Sequence, residues 1–234
     1  MKILLVAATT LEIDPILKQL NGENCSSKMI KNIIYNELNI DILITGIGLV
    51  FTCYHLTKAL NDDTYDLVIN LGIAGSFNKN LQIGEVVNVI HEEFSDLGIE
   101  SPTGFKTLFE SGFTDKNEFP FKGGKLISYI SKNLIIKQLT QVRSISSNTA
   151  HGNEITINSL IKKYNPDIES MEGSSFFYVC LMEKVNFIQI RAISNYVEAR
   201  NFKNWNIKLA LENLSVFLVG VLDGLVPKLQ KDLS

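Results

Sequence analysis

Two polar side chains and two glycine-bounded turns follow predicted strands, the place where an α/β sheet binds its ligands, and a third polar side chain begins a predicted helix. Glu12 comes shortly after the first apolar run, Glu172 lies in the step Met171-Glu172-Gly173, and Asn195 ends the last predicted strand. The turns are Thr45-Gly46-Ile47-Gly48 and Gly72-Ile73-Ala74-Gly75-Ser76. Open α/β sheets bind ligands beyond the carboxyl ends of their strands, and glycine lets backbone N–H groups approach a ligand closely. The pattern favours a small-molecule site at this edge, but spacing alone does not define a reaction.

Each of these features also has a purely structural interpretation. Glu12 completes Thr9-Thr10-Leu11-Glu12, which matches the capping box of a helix N-terminus. Pro15 instead favours a helix capped by Asp14, which would leave Glu12 in the loop before it. Glu172 precedes an apolar helix, where the helix dipole stabilises a carboxylate. The glycine turns are either ligand-binding loops or plain tight turns.

Short β-rich runs alternate with helical patterns, which is typical of an α/β fold. The last helix has the clearest period, because apolar residues recur at steps of three and four and Pro227 follows it. The predicted strands are Lys2–Ala8, Asp41–Thr45, Asp66–Leu71, Glu85–His91, Val142–Ser147 and Phe187–Ile193. The predicted helices are Asp14–Leu20, Leu49–Leu60, Lys125–Leu134, Glu154–Tyr164, Glu172–Lys184 and Asn206–Leu225. Ser95–Gly124, rich in glycine and proline, is expected to be an extended loop and a candidate lid.

Composition excludes several classes of protein. With 45% hydrophobic residues, 20% charged residues and a net charge of −3, the chain has material for a core and no basic block for nucleic acid or anionic lipid. Its first apolar run is too short for a signal peptide, and its longest late run is too short for a membrane helix. The three cysteines and three histidines lack metal-ligand spacing, so the cysteines are interpreted as small core residues and His55, His91 and His151 as ordinary structural or surface residues. No P-loop, complete dinucleotide fingerprint or nucleophile elbow occurs. We expect a cytoplasmic protein without a metal.

Together the motifs resemble the nucleoside phosphorylase and nucleosidase family, which cleaves the N-glycosidic bond of nucleosides. The resemblance covers nearly the whole chain and rests on five motifs in order: Lys2–Glu12, Thr45-Gly46-Ile47-Gly48, Gly72-Ile73-Ala74-Gly75, Met171-Glu172-Gly173 and Arg191-Ala192-Ile193-Ser194. It implies a single α/β domain over residues 1–234, with a central mixed β-sheet flanked by helices. It also implies a nucleoside substrate, no cofactor and a homo-oligomer.

The resemblance assigns roles to individual residues. Glu12 would activate the attacking water, Glu172 would accept the ribose hydroxyls and Asn195 would hold the purine. Gly75, Ser76, Met171 and Arg200 would contact the substrate. The aromatic ring that stacks on the base stays open, with Phe77, Tyr196 or another ring as candidates.

Two features narrow the activity that the resemblance implies. The family's phosphorylases place phosphate-binding arginines in their first half, whereas this chain has only Arg143, Arg191 and Arg200, which favours a hydrolase. Adenosine-cleaving relatives carry aspartate where this chain has Asn195, whose amide can pair with a 6-oxopurine. Phe94-Ser95-Asp96-Leu97-Gly98 and Ser194-Asn195-Tyr196-Val197-Glu198 resemble the futalosine-cleaving branch, which serves menaquinone biosynthesis. A methylthioadenosine/S-adenosylhomocysteine nucleosidase and a non-catalytic nucleoside-binding protein are the alternatives.

Overall fold

A computed structural model describes residues 1–20, 28–102, 104–128, 134–199 and 204–225, and it arranges the apolar runs as one mixed β-sheet between helices. The α/β prediction is therefore confirmed. The described strands are β1 (Lys2–Ala7), β2 (Met29–Tyr35), β3 (Leu38–Ile44), β4 (Leu67–Ser76), β5 (Val86–Phe94), β6 (Gly98–Ser101), β7 (Gly104–Thr107), β8 (Leu126–Ile127), β9 (Thr140–Ser146), β10 (Ile168–Ser170) and β11 (Phe187–Tyr196). The described helices are α1 (Thr10–Gln19), α2 (Leu49–Asp62), α3 (Leu134–Lys137), α4 (Glu154–Tyr164), α5 (Gly173–Met182) and α6 (Ile207–Leu225).

The strands β1, β4 and β11, which lead to Glu12, Gly75 and Asn195, are parallel neighbours. The sheet runs in the order β10-β9-β5-β11-β4-β1-β3-β2. β1 lies parallel between β3 and β4, and β4 continues parallel to β11. β10 pairs with β9 and also with β4, so the path β4-β11-β5-β9-β10 closes on itself. This arrangement brings the carboxyl ends of β1, β4 and β11 to one edge of the sheet.

Helices cover both faces of the sheet, each over its own apolar cluster. One cluster joins α1 and α6 to the sheet and includes the buried Leu214, Leu218 and Val221 of α6, so the helical period read in this segment is confirmed. The other cluster joins α2 and α5 and includes Phe176 and Phe177. Strands covered on both faces are apolar throughout, which is why these segments were recognisable in the sequence.

Several sequence predictions are wrong. Lys125–Leu134 was expected to be a helix, but Leu126 is fully buried and its two-residue strand β8 pairs with β5. The short apolar spacing in this segment fits either structure, and pairing with β5 decides between them. Residues 129–133 lie outside the described part of the chain. Cys53 is exposed rather than a core residue, Cys180 is buried as expected, and Cys25 lies outside the described residues.

Strands β2 and β10 were not predicted, because the first has a mixed burial pattern and the second has only three residues. The segment Ser95–Gly124 is not a plain loop, since it contains the antiparallel pair β6–β7. Of the helices in the described ranges, none combines the length and apolarity needed to cross a lipid bilayer.

Candidate active site

A cavity of about 300 Å³ opens at the carboxyl ends of β1, β4 and β11. Its wall is mostly apolar, and the polar groups converge on it from distant parts of the chain. The ionisable and amide side chains that line it are Glu12, His151, Glu169, Glu172 and Asn195. A mostly apolar cavity with a few convergent polar groups is the usual form of a small-molecule site.

Glu12 lies at the start of α1, where it is both a capping residue and a member of the cavity wall. Thr9, not Asp14, is the N-cap, and the backbone N–H and hydroxyl of Thr9 each donate to Glu12 Oε2 at 3.1 Å. The N–H of Ala8 also donates to Oε2 at 3.1 Å, and the N–H of Ile73 donates to Oε1 at 3.2 Å. Three donors therefore hold Oε2, while Oε1 keeps a lone pair available to a ligand.

Glu172 does not cap the helix that follows it. It precedes α5 without a side-chain capping bond, and its Oε1 accepts the backbone N–H of Gly48 at 3.1 Å. Burial raises the pKa of this carboxyl to about 7, the positive charge of Arg191 opposes that rise, and the negative charge of Glu12 adds to it. A carboxyl that titrates near neutrality in a cavity is a typical feature of functional sites.

The turn after β3 needs glycine at two positions. Gly46 has a φ of 92° and Gly48 a φ of 106°, a region that side chains disfavour. The turn is held from outside, because Asn148 Oδ1 accepts the N–H of Leu49 at 3.1 Å and Asp96 accepts the Asn148 backbone N–H at 2.8 Å. Asp96, noticed in the sequence as part of a motif, thus supports the loop that presents Gly48 to Glu172.

Asn195 is buried at the end of β11, and its amide is partly committed. Its Oδ1 accepts from Ser194 Oγ at 2.7 Å, and its Nδ2 donates to the carbonyl of Tyr196 at 3.0 Å. One acceptor lone pair and one N–H stay available. Gly75 lies against this amide, since a Cβ there would come within 3.3 Å of Asn195 Nδ2 and 2.9 Å of Val197 Cγ2. A side chain at position 75 would therefore disturb the amide.

A buried polar chain runs behind the two glutamates, and sequence reasoning missed it. Arg191 Nη1 donates to Asn70 Oδ1 at 3.2 Å, Asn70 Nδ2 donates to Gln189 Oε1 at 3.0 Å, and Gln189 Nε2 donates to Glu92 Oε1 at 2.6 Å. Glu92 is fully buried and burial raises its pKa. Its carboxylate leaves no room for a Cβ at Gly173. Glycine therefore follows Glu172 because α5 begins directly against this chain.

His151 and Glu169 form a pair in the cavity wall that was also missed. His151 Nδ1 lies 2.7 Å from Glu169 Oε2, and the backbone N–H of His151 donates to Oε1 at 3.1 Å. The histidine had been interpreted as an ordinary structural or surface residue. The one sequence feature that points to this pair is Glu169, a charged residue two positions before Met171-Glu172-Gly173.

Only some of the other residues predicted to contact the substrate line the cavity. Gly75 and Met171 line the cavity, whereas Ser76 does not, because its hydroxyl donates to the carbonyl of Asn78 at 2.8 Å. Arg200 lies outside the described residues. Neither Phe77 nor Tyr196 lines the cavity, and among the described residues Trp205 contributes an indole ring to its wall. Within the described ranges, no group of three His, Cys, Asp or Glu side chains could hold a metal ion.

Comparisons with known proteins identify the family of the chain. Residues 2–223 match the family described as the phosphorylase superfamily. Futalosine hydrolase of Thermus thermophilus is 29% identical over 177 residues, which cover 74% of this chain and 76% of that protein. A 5'-methylthioadenosine/S-adenosylhomocysteine nucleosidase of Haemophilus influenzae is 27% identical over 235 residues, which cover 96% of this chain and all of that protein.

A solved structure from Helicobacter pylori shares the fold. Its 5'-methylthioadenosine/S-adenosylhomocysteine nucleosidase with butyl-thio-DADMe-Immucillin-A gives a TM-score of 0.80 at 20% identity, covering 96% of this chain and 99% of that one. An identity this low shows the fold alone. The family match extends over nearly the whole described chain and agrees with the resemblance read from its motifs. The chain belongs to the phosphorylase superfamily.

Proposed function

We propose that this chain hydrolyses the N-glycosidic bond of futalosine, releasing hypoxanthine and dehypoxanthine futalosine in menaquinone biosynthesis. The chain is an N-glycosyl hydrolase of the nucleosidase type by its family and its relatives. The observation that carries the choice of base is Asn195, an amide where a purine would lie, with one donor and one acceptor uncommitted.

The reaction needs a base for water, and Glu12 is suited to that role. As the purine leaves, the ribose gains oxocarbenium character and water attacks C1′. Glu12 Oε1 has a lone pair for the proton of that water, while the donors on Oε2 fix the direction of the carboxylate. A positioned base of this kind contributes about 10²–10⁴-fold to a rate.

Glu172 supplies the charge at the ribose, and the buried Arg191 acts on it from behind the cavity wall. An ionised Glu172 can accept the ribose hydroxyls and stabilise the positive charge that develops on the sugar. Arg191 is 1% exposed, and its Nη1 lies close to Glu12 Oε1, since a Cβ on Gly72 would be 3.3 Å from the former and 2.6 Å from the latter. Its charge favours the ionised form of Glu172 in a buried site.

The lining of the cavity supports hydrolysis over phosphorolysis. A phosphorylase must hold a phosphate dianion, for which arginine is the preferred ligand. No arginine or lysine side chain is among the described residues that line the cavity. Arg143 lies elsewhere, with its Nε 2.9 Å from Asp167 Oδ2.

Changing Asn195 to aspartate is expected to shift the base preference. The amide can donate to the O6 of hypoxanthine, whereas a protonated aspartate donates to N7 and accepts from the 6-amino group of adenine. In Asn195→Asp we expect the ratio of kcat/KM for futalosine to that for methylthioadenosine to fall at least 10-fold, because unpaired buried polar groups discriminate strongly. Initial rates of base release, separated by chromatography, measure this ratio. An unchanged ratio would remove Asn195 from base recognition.

The runner-up function is a methylthioadenosine/S-adenosylhomocysteine nucleosidase. The coverage of the Haemophilus influenzae protein favours it, since that match includes 96% of this chain. Asn195 argues against it, and wild-type rates on the two nucleosides decide between them. A non-catalytic nucleoside-binding protein is disfavoured because Glu12, Glu172 and Asn195 all line one cavity.

The homo-oligomer is supported by an apolar face next to the cavity. Ile47 lines the cavity and is 54% exposed, and Val50, Phe51 and Tyr54 on the first turns of α2 are 71%, 56% and 62% exposed. An apolar patch of this kind favours association. We expect a dimer or larger assembly by sedimentation equilibrium, and Val50→Asp should dissociate it. A monomeric wild-type protein would contradict the prediction.

Three further expectations stay predictions. Arg200 is proposed to pair with the carboxylate at the far end of futalosine, a cytoplasmic location is expected, and residues 1–234 are expected to form one domain.

A further inference from the structure

The His151–Glu169 pair has a geometry that a purely structural ion pair on a protein surface lacks. Both oxygens of Glu169 are bound by one residue, Oε2 by His151 Nδ1 at 2.7 Å and Oε1 by the His151 backbone N–H at 3.1 Å. The two side chains are only 12% and 11% exposed. Both nevertheless line the cavity, so the carboxylate is held in one orientation with lone pairs left for a ligand.

Glu169 shares its end of the cavity with Asn195. β10 pairs antiparallel with β4, and Glu169 is opposite Gly75 in that register. A Cβ on Gly75 would lie 3.3 Å from Asn195 Nδ2 and 3.6 Å from Glu169 Cγ. The amide of Asn195 and the side-chain stem of Glu169 therefore flank the same glycine. Glu12 accepts the backbone N–H of Ile73, which lies two residues before Gly75 on β4. The backbone positions of Ile73 and Gly75 are therefore about 7 Å apart along the strand.

6-Oxopurines and 6-aminopurines present different hydrogen-bonding groups at positions 1 and 6 of the ring. A 6-oxopurine has an acceptor at O6 and a donor at N1–H, whereas a 6-aminopurine has a donor at N6 and a lone pair at N1. The amide of Asn195 offers both a donor and an acceptor, and the hydrogen bonds from Ser194 and to Tyr196 hold it in the orientation that suits a 6-oxopurine. An ionised carboxylate only accepts. A carboxylate facing N1 therefore distinguishes the bases more sharply than an amide does.

We propose that Glu169, oriented by His151, accepts the N1–H of the purine and makes the site selective for 6-oxopurines. This inference rests on the proposed function, because it gives the base of that nucleoside a second contact beside Asn195. Glu169 is then a specificity-determining residue that touches the substrate. His151 is a positioning residue, because a ring that carries its proton on Nδ1 donates to Oε2, 2.7 Å away, and fixes the direction of the carboxylate.

Binding of the free bases tests the proposal without requiring turnover. Calorimetry on the full chain gives the ratio of the Kd for adenine to the Kd for hypoxanthine. Glu169→Gln should lower this ratio about 10- to 100-fold, because it replaces a charged acceptor with an amide whose N–H can meet N1 of adenine. Glu154→Gln, an exposed carboxylate three residues after His151, is the matched control and should leave the ratio unchanged.

His151 variants separate positioning from a purely structural role. His151→Leu should lower the same ratio at least 5-fold, and His151→Asn, whose amide can donate to Glu169, should recover part of the loss. A structural role alone would weaken both bases equally. Equal weakening in both variants would therefore overturn the positioning role.

A second test uses only the wild-type protein, in case a variant fails to fold. 1-Methylhypoxanthine lacks the N1–H and should bind at least 10-fold more weakly than hypoxanthine. Binding within twofold of hypoxanthine, or an unchanged ratio in Glu169→Gln, would overturn the proposal. The wild-type ratio tests the proposed function separately, since a preference for adenine would contradict that function whatever Glu169→Gln does.

Discussion

Replacing Glu12 with glutamine is expected to lower kcat for nucleoside hydrolysis by about 10²–10⁴-fold while the nucleoside still binds. Three donors surround Oε2, so the oxygen of the new amide should occupy that position. The NH₂ group would then replace Oε1, where it faces the N–H of Ile73 and cannot take a proton from water. The variant should thus lose its base and keep its cavity.

Single-turnover kinetics on futalosine measures the chemical step, and calorimetry measures binding of the same nucleoside. Glu118→Gln, an exposed carboxylate outside the cavity lining, serves as the control and should behave like the wild type. A kcat for Glu12→Gln within 10-fold of the wild type would assign the base to another group. Loss of binding together with turnover would mean that Glu12 mainly maintains the cavity.

The second large effect concerns pH and Glu172. Because burial raises the pKa of Glu172 to about 7, the ionised form that the ribose requires is lost as the pH falls below neutrality. The kcat/KM for the nucleoside should therefore rise with pH and level off above about 7, with a slope near one below that value. Glu172→Gln should lower kcat/KM by about 10²-fold or more and remove this limb of the profile.

The contribution of Glu172 to folding stability should fall as the pH rises, whereas its contribution to kcat/KM should increase. A carboxyl whose folded pKa lies above its unfolded value contributes stability that is present below the unfolded value, about 4.5, and is lost as the pH rises through about 7. Glu172→Gln should therefore be more stable than the wild type at pH 8, by about 1–3 kcal/mol, with the difference closing at pH 5. Thermal unfolding at the two pH values measures this. A variant less stable than the wild type at pH 8 would contradict the buried-charge account.

Much of this architecture could be predicted from local patterns. The apolar runs of β1 and β11 and the period of α6 each reflect burial that repeats along one segment. The carboxyl-edge rule placed Glu12 and Asn195 at the same end of the sheet, and both line the cavity. The sequence offered two N-caps for α1, and Thr9 is the N-cap because its capping box with Glu12 forms, with Pro15 accommodated inside the helix.

What escaped prediction depends on contacts between distant segments. His151 and Glu169 are 18 residues apart and meet because a three-residue strand bridges β9 and β4. The spacing of these two residues in the sequence does not predict that they are in contact. Arg191, Asn70, Gln189 and Glu92 form a chain only because β4, β5 and β11 are neighbours. Ser76 was predicted to contact the substrate because it is a polar residue in a suitable motif. Its hydroxyl instead donates to the carbonyl of Asn78 and stabilises a local turn.

The most direct test of the proposed function is a competition assay. The wild-type protein is incubated with futalosine and methylthioadenosine together, at equal concentrations, in phosphate buffer. We expect faster release of hypoxanthine than of adenine, with free dehypoxanthine futalosine as the second product and no ribose 1-phosphate ester. Faster release of adenine would contradict the assignment of the base. Formation of a phosphate ester would contradict hydrolysis itself.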